Sequence, residues 1–328
     1  ENGVFVVNEG NFADADGEIT YIDFISGDVR HKLFQGVNSR PFAGVLQSMT
    51  MHEGYAYLID QLGRLEVVEA ASFNSAGDIS EGLVIPRYIS AYGNRGFITD
   101  WGPYDENYLN NESRVIEVDL ENLSIIKTIT TDSRPEGIYA DSSHIFVANS
   151  ATDKISIYDT QDLTPAAQIT VPPGPVRFVE DMEGNLWIAC TGNYTDRSAL
   201  VRISRQSLTV TATILVPEGI VLNGGIAING AGDMIYYLSE QWAEDFSYTL
   251  NNIFTHSVHN INFNYSALLS RKNIYGLGVD PVGKGIFLAD AVAFQANGWV
   301  YVYNENGALL DSVNVDRGPR DFVFVNEE

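Results

Sequence analysis

Residues 134–171 read RPEGIYADSSHIFVANSATDKISIYDTQDLTPAAQITV, a stretch in which short apolar runs alternate with turn residues. Val, Ile, Tyr and Phe fill the runs, whereas Gly, Asn, Asp and Pro lie between them, a pattern typical of short strands joined by turns. The stretch therefore predicts a unit of four antiparallel strands, which we call A to D in chain order.

The unit recurs along the whole chain. Runs that match strand B are FVVN (5–8), YLID (57–60), FITD (97–100), FVAN (146–149), WIAC (187–190), YLSE (237–240) and FLAD (287–290). A second series of runs, matching strand C, ends at Asp23, Glu69, Asp119, Asp159, Ser204, Ser257 and Asn304. Both series repeat every 40 to 53 residues, and periods of this size indicate stacked or radial repeat architectures.

Seven B and C strands require seven A strands, yet no residues precede strand B of the first unit that are able to supply one. Residues 321–325, which follow RGPR, form an isolated strand-like run. We therefore expect this C-terminal strand to join the first blade, closing a ring that has no free sheet edge. The prediction is an all-β protein, a seven-bladed β-propeller of four-stranded antiparallel blades, in a single domain over residues 1–328. A solenoid is the alternative, but it would need capping repeats, which the sequence lacks.

The chain is acidic: 43 Asp and Glu against 19 Lys and Arg give a formal net charge of -24. A nucleic-acid partner is not expected, because phosphate binding needs a basic surface. The only cysteine, Cys190, excludes an intrachain disulfide, and its apolar neighbours predict a buried position. We expect the protein to be a monomer by itself.

Two levels of resemblance are visible. The 134–171 repeat, with its FVAN tetrad, resembles the repeats of YVTN-type propellers. More narrowly, FVVNEGNF (5–12), SMT (48–50), PRYIS (86–90) and FITDWG (97–102) resemble segments of the surface lipoprotein propellers of Gram-negative gut anaerobes.

The best-known members of that lipoprotein group bind cobalamin and sit on a TonB-dependent outer-membrane transporter. The resemblance implies a non-enzymatic protein that captures cobalamin or another corrinoid and is lipid-anchored at the outer-membrane surface. The anchor segment would lie outside this sequence, and a periplasmic or secreted location is the alternative. No cofactor is required, and a corrinoid would be a bound ligand. Related members accompany other nutrient systems, so the ligand stays open.

In a propeller, the B–C loops and the D–A connections lie on the same face. Several B–C loops are long: 9–17, 101–112, 191–197, 241–250 and 291–297. Aromatic side chains on long loops offer large contact areas to planar or macrocyclic ligands. We predict as ligand-binding residues Phe12, Trp101, Tyr104, Tyr108, Tyr194, Trp242, Phe246 and Phe294.

The basic residues Arg40, Arg87, Arg134, Arg177, Lys272 and Arg320 all lie at or near the expected start of a strand A. On that same face they would ring the central opening. One interpretation makes the five arginines ligand contacts for phosphate, carboxylate or carbonyl groups. The other pairs them with the acids that end strand B: Asp60, Asp100, Glu240 and Asp290.

Signals for catalysis are weak. The sequence has no nucleophile elbow, phosphate-binding loop, H-E-x-x-H pair or dinucleotide fingerprint. His256 and His259 are three residues apart on a strand and would point to opposite faces, which disfavours a shared metal. The alternatives to ligand capture are a protein–protein or glycan-binding scaffold and, third, a propeller hydrolase or dehydrogenase.

Overall fold

The structure is a computed structural model that describes residues 2–264 and 266–326, which form seven four-stranded sheets. The seven innermost strands contact one another in sequence around a ring. Each strand pairs with its neighbours in antiparallel fashion, for example β1 with β2 over Gly3–Asn8 and Glu18–Asp23. The predicted seven-bladed β-propeller is therefore confirmed. Within the described residues, no helix combines the length and apolar character needed to span a membrane.

The blades follow chain order. Blade 1 contains β1 (Gly3–Asn8), β2 (Glu18–Asp23) and β3 (Val29–Arg30); blade 2 contains β4 (Leu46–His52), β5 (Tyr55–Asp60), β6 (Arg64–Glu69) and β7 (Ser75–Ile79). Blade 3 contains β8 (Pro86–Tyr92), β9 (Arg95–Asp100), β10 (Arg114–Asp119) and β11 (Ser124–Thr130). Blade 4 contains β12 (Pro135–Ala140), β13 (His144–Asn149), β14 (Lys154–Asp159) and β15 (Pro165–Thr170).

The remaining blades repeat the pattern. Blade 5 contains β16 (Pro175–Glu180), β17 (Leu186–Cys190), β18 (Ala199–Ser204) and β19 (Thr209–Leu215). Blade 6 contains β20 (Val221–Ile228), β21 (Met234–Trp242), β22 (Thr249–Ser257) and β23 (Leu269–Lys272). Blade 7 contains β24 (Ile274–Val279), β25 (Ile286–Asp290), β26 (Asn297–Tyr303) and β27 (Leu309–Arg317), and β28 (Pro319–Val325) completes blade 1.

Helical structure is confined to two short segments of the described chain. A six-residue helix, α1 (Leu33–Asn38), lies between blades 1 and 2, and one 3-10 turn spans Val292–Phe294. The Glu18 carboxylate accepts hydrogen bonds from the backbone N–H groups of Phe34 (3.1 Å) and Gln35 (2.9 Å). This acid therefore satisfies N–H groups that the first turn of any helix leaves unpaired.

The antiparallel pairing fixes which loops share a face. Each strand A begins where strand B of the same blade ends, as the pairs Leu46–Asp60 and Ile274–Asp290 show. The B–C loops and the segments that enter strand A therefore lie on one side of the ring, which we call the upper face.

The C-terminal strand closes the ring as predicted. In the ladder between β28 and β1, Val4 pairs with Phe324 and Val6 with Phe322. The rings of Phe322 and Phe324 lie 5.8 and 5.1 Å from that of Phe287 in blade 7. The last strand thus completes the sheet of blade 1 and fills the apolar space between blades 1 and 7.

Removing residues 319–328 is expected to abolish cooperative unfolding or to lower the thermal midpoint strongly. The truncation leaves β1 without its inner neighbour and removes two aromatic side chains, and burying one such side chain is worth about 1.5–3 kcal/mol. Thermal circular dichroism and limited proteolysis are the measurements. The control ends after Val325 and keeps β28 intact, so equal melting of the two truncated proteins would contradict ring closure by β28.

Candidate functional site

Bulges at the start of the inner strands place polar side chains around the axis. In blade 2, Gln47 lies between two paired residues but has no partner of its own across the ladder. Tyr275 of blade 7 and Arg320 of β28 are skipped in the same way. Such bulges re-aim side chains next to functional sites. The polar or aromatic residues skipped in the seven blades are Gln47, Arg87, Tyr88, Glu136, Arg177, Asn223, Tyr275 and Arg320.

Arg320 connects four blades. Its Nη1 donates to Glu9 Oε2 (3.1 Å), Gln47 Oε1 (3.2 Å) and the Tyr275 hydroxyl (3.2 Å). Its Nη2 lies 3.4 Å from the hydroxyl of Tyr88. The Tyr275 hydroxyl in turn donates to Glu9 at 2.7 Å. Burial raises the pKa of Tyr275; Arg320 opposes this shift and the Glu9 carboxylate adds to it, so the hydroxyl keeps the proton that it donates.

Two further arginines extend these contacts around the ring. Arg87 is buried and donates to Glu136 (3.1 Å) and to Gln61 (2.8 Å). Arg177 of blade 5 donates at 2.6 Å to Asp321, which belongs to β28. We call the connected side chains the axial network: Glu9, Gln47, Gln61, Arg87, Tyr88, Glu136, Arg177, Tyr275, Arg320 and Asp321.

The formal charges of the axial network cancel, because its three arginines are matched by three carboxylates. Burial opposes the charge of Arg320, but the hydroxyls of Tyr88 and Tyr275, followed by the carboxylates of Glu9 and Glu136, raise its pKa. The Arg320 guanidinium therefore stays charged, and all three arginines are engaged within the protein. Their assignment as ligand contacts stays a prediction.

Trp101 lies between two arginines at the edge of this network. The Arg87 and Arg134 guanidinium carbons lie 4.3 and 5.2 Å from the centre of the Trp101 ring, within the range of cation–π attraction. Arg134 also donates to Asn110 Oδ1 at 2.8 Å. These contacts tie the loop 101–112 to the inner strands. We call the axial network, together with the aromatic side chains that pack on it, such as Trp101, the floor of the upper face.

The prediction that Arg40 lies at the rim was wrong. Arg40 precedes β4 by several residues and donates to Glu66 Oε1 at 2.7 Å, and it stacks 4.7 Å from the ring of Phe34. The sequence between blades 1 and 2 contains α1, so a basic residue there does not reach the start of the inner strand. Arg40 instead fastens α1 to strand C of blade 2.

The interpretation that pairs the rim arginines with the acids that end strand B was wrong for Asp60 and Asp100. The Asp60 carboxylate accepts hydrogen bonds from the N–H groups of Val45 (2.9 Å) and Leu62 (3.0 Å). Asp100 accepts from three backbone N–H groups in the adjoining loops, the shortest at 2.7 Å from Gly102. These two acids organise the loops of the upper face, whereas the rim arginines use Glu9, Glu136 and Asp321.

Exposed aromatic side chains are concentrated on the upper face. Among the described residues, every Phe, Trp or Tyr that is more than half exposed lies in or at the base of a B–C loop. We call these five the aromatic crown: Phe12, Tyr108, Tyr194, Trp242 and Phe246. Tyr104 is just under half exposed, while Phe294 packs edge-on against Tyr275 at 5.2 Å. The predicted aromatic residues thus share a face, but Trp101 and Phe294 belong to its floor.

The aromatic pair of blade 6 stands on a long hairpin. Strands β21 and β22 extend to Trp242 and from Thr249, so the loop is shorter than the 241–250 segment expected. The rings of Trp242 and Phe246 lie 6.3 Å apart at its tip. Near its base, the Lys272 ammonium sits 3.6 Å from the centre of the Tyr248 ring.

A cleft of about 860 Å³ opens beside the crown, between the 191–198 loop of blade 5 and residues 217–221. Tyr194 lines it, together with Arg197 and Glu218. The cleft therefore lies toward the rim of blades 5 and 6, whereas the axial network lies at the centre of the ring.

Sequence reasoning missed seven members of the axial network, including Tyr88, Tyr275 and Glu136. A usable signal was the proline that begins strand A in four blades, Pro86, Pro135, Pro175 and Pro319, because the skipped residues follow it directly. Proline is tolerated at the first position of a strand, and there it marks where the bulge begins. The other missed residues are Glu9, Gln47, Gln61 and Asp321.

The side chains considered for catalysis do not converge. Cys190 is fully buried, and burial raises the pKa of its thiol, which makes it a poor nucleophile. The ring of His256 contacts the carbonyl of Asn260 at 2.9 Å, whereas His259 lies 3.8 Å from Glu183. In the described chain, no group of three or more His, Cys, Asp or Glu side chains is placed to hold a metal ion.

Comparison with known families identifies the chain. The family described as "Domain of unknown function (DUF5074)" matches residues 2–324, so the chain belongs to this family. A search of curated proteins found no match.

Solved structures share the fold at low identity. A quinonprotein alcohol dehydrogenase-like protein from Bacteroides thetaiotaomicron superposes with a TM-score of 0.74 at 12% identity, covering 98% of this chain and 78% of that one. A functionally unknown protein from Desulfotomaculum acetoxidans gives 0.70 at 10% identity, covering 100% of both chains. Kuenenia stuttgartiensis hydrazine synthase gives 0.65 at 14% identity, covering 84% of this chain and 88% of that one. At these identities the likeness extends to the fold alone.

Replacing Glu136 with Gln is expected to destabilise the protein by about 3–5 kcal/mol, because it leaves the buried charge of Arg87 without its partner. Urea unfolding measures the change. The control is Glu305→Gln, which breaks the exposed pair with Lys284 (3.7 Å); its cost should stay below about 1 kcal/mol. Equal effects of the two substitutions would show that the axial network is not a stabilising unit.

Proposed function

We propose that this family member is a non-enzymatic binding protein whose upper face captures cobalamin or another corrinoid for an outer-membrane transporter. The observation that carries the proposal is the aromatic crown. Exposed apolar groups gathered on one face of a soluble protein mark interaction sites, and aromatic residues dominate binding energy at such sites.

The floor beneath the crown suits a preorganised site. The axial network links blades 1, 2, 3, 4, 5 and 7 through direct hydrogen bonds, and Trp101 is held between two guanidinium groups. A rigid floor reduces the ordering cost of binding. Mobile loops on a fixed scaffold are also the usual location of binding residues in repeat folds.

Charge narrows the ligand class. With a formal net charge of -24, the protein repels polyanions over distances comparable to the Debye length. A corrinoid presents a largely uncharged macrocycle with amide side arms, so it faces little of this repulsion. Its size also calls for several aromatic contacts at once, which a crown on separate blades provides.

The proposed location and transporter rest on the sequence resemblance of residues 5–12, 48–50, 86–90 and 97–102. The proposal assigns no catalytic residue and no required cofactor. Lipid anchoring at the outer-membrane surface belongs to the same proposal.

Calorimetric titration with cyanocobalamin tests the function, alongside a panel of nutrients without a corrin ring. We expect one-to-one binding of cyanocobalamin and none of the panel. Absence of corrinoid binding would overturn the proposed ligand. In that case the crown would be a surface for a partner protein or a glycan.

Removing two rings of the crown, with Trp242→Ala and Phe246→Ala together, is expected to weaken cyanocobalamin binding by at least about tenfold. Both side chains are exposed, so the thermal midpoint should hardly change. The matched control is Tyr55→Ala with Tyr92→Ala, two partly exposed aromatic residues on the opposite face. Equal affinity losses in the two double variants would exclude the crown as the binding surface.

A further inference from the structure

The cleft between blades 5 and 6 has the dimensions of a ligand site. Its volume of about 860 Å³ lies within the range of about 300–1,000 Å³ that is usual for small-molecule pockets. One wall is the B–C loop of blade 5, residues 191–198, and the other is the connection 217–221 that enters blade 6. The cleft therefore opens on the upper face, at the edge of the aromatic crown.

Three side chains that line the cleft have no protein partner among the described residues: Tyr194, Arg197 and Glu218. Arg197 is also the only arginine of the described chain that makes no hydrogen bond, ion pair or ring contact. In a chain with 43 acidic residues, a guanidinium group that stays unpaired is unusual. Together they offer a ligand an aromatic ring from Tyr194, a cation from Arg197 and a hydrogen-bond acceptor from Glu218.

The loop that presents these groups is held in place. Asn193 Oδ1 accepts hydrogen bonds from the N–H groups of Thr195 and Asp196, both at 2.8 Å. Ser198 Oγ donates to the Thr191 carbonyl at 2.6 Å and accepts from the N–H of Leu222 in blade 6 at 3.0 Å. The backbone on one side of the cleft is thus fastened to the other side, and the free side chains project from a fixed base.

The free groups match the parts of one kind of ligand. A guanidinium group recognises phosphate oxygens in a bidentate manner. A tyrosine ring stacks on a planar base, and a glutamate carboxylate accepts hydrogen bonds from sugar hydroxyls. Because Asp196 and Glu218 line the cleft together with the single Arg197, the cleft tolerates one anionic group and disfavours several.

We propose that the cleft binds a nucleotide-type group, namely a base and a ribose joined to a single phosphate, with the phosphate on Arg197. Two sources carry this chemistry: the nucleotide arm of a corrinoid and a free nucleoside monophosphate. The corrinoid source rests on the proposed function. In that case the crown holds the macrocycle while the cleft holds the arm.

Calorimetric titrations of the full chain with cyanocobalamin, with cobinamide, which lacks the nucleotide arm, and with adenosine 5′-monophosphate test the site. Arg197→Ala should weaken cyanocobalamin binding by at least about tenfold and leave cobinamide binding within about twofold. Tyr194→Ala should show the same selectivity. Lys127→Ala, which removes one positive charge from an outer strand, is the control and should change neither affinity.

The outcomes separate this inference from the proposed function. If the unmodified protein binds both corrinoids and Arg197→Ala weakens both equally or neither, the cleft assignment is overturned and corrinoid capture stands. If the protein binds no corrinoid, the proposed function fails. The adenosine monophosphate titration then decides: binding that Arg197→Ala removes supports the cleft, and no binding overturns it.

Discussion

Seven strands that begin around one axis crowd their first side chains together, and the upper face of the molecule depends on how this crowding is resolved. Each inner strand inserts a bulge at this point, so that one to three residues escape the ladder. All seven bulges carry a charged, amide or phenolic side chain, and six of them contribute theirs to the axial network. The network that results holds the blades at a fixed spacing, and with them the loops above. Packing at the axis and the arrangement of the upper-face loops are therefore one physical problem in this fold.

The use of arginine shows how a strongly acidic chain assigns its few cations. Arg87, Arg177 and Arg320 cancel three carboxylates at the axis, while Arg40, Arg95 and Arg205 fasten loops and outer strands. Because these arginines pair with carboxylates inside the protein, the upper face presents aromatic rings and little positive charge. Arg197 differs from these arginines, because its guanidinium lines a cleft and forms no ion pair with a carboxylate of the described chain.

The repeat, the strand order and the closing strand follow from apolar runs and their spacing, since residues 321–325 had no other sheet to join. The common face of the aromatic loops follows from the same spacing. Sequence analysis gave the wrong answer for two details of the site. Arg40 was misplaced because spacing does not reveal that α1 fills the connection before β4. The partners of Asp60 and Asp100 were misassigned because a carboxylate at a strand end finds backbone N–H groups closer than any arginine. The axial network was not predicted because it depends on bulges. A bulge changes the direction of a side chain but does not alter the spacing of apolar residues from which strands are predicted.

The pairing of β28 with β1 has a consequence for synthesis on the ribosome. Residues 3–8 are made roughly three hundred residues before their inner neighbour, residues 319–325. At about 5–20 residues per second, the first blade waits on the order of half a minute with an unpaired apolar edge. An exposed edge of this kind is able to pair with another nascent chain. Of the seven blades, the first one therefore stays open to such pairing for the longest time during synthesis.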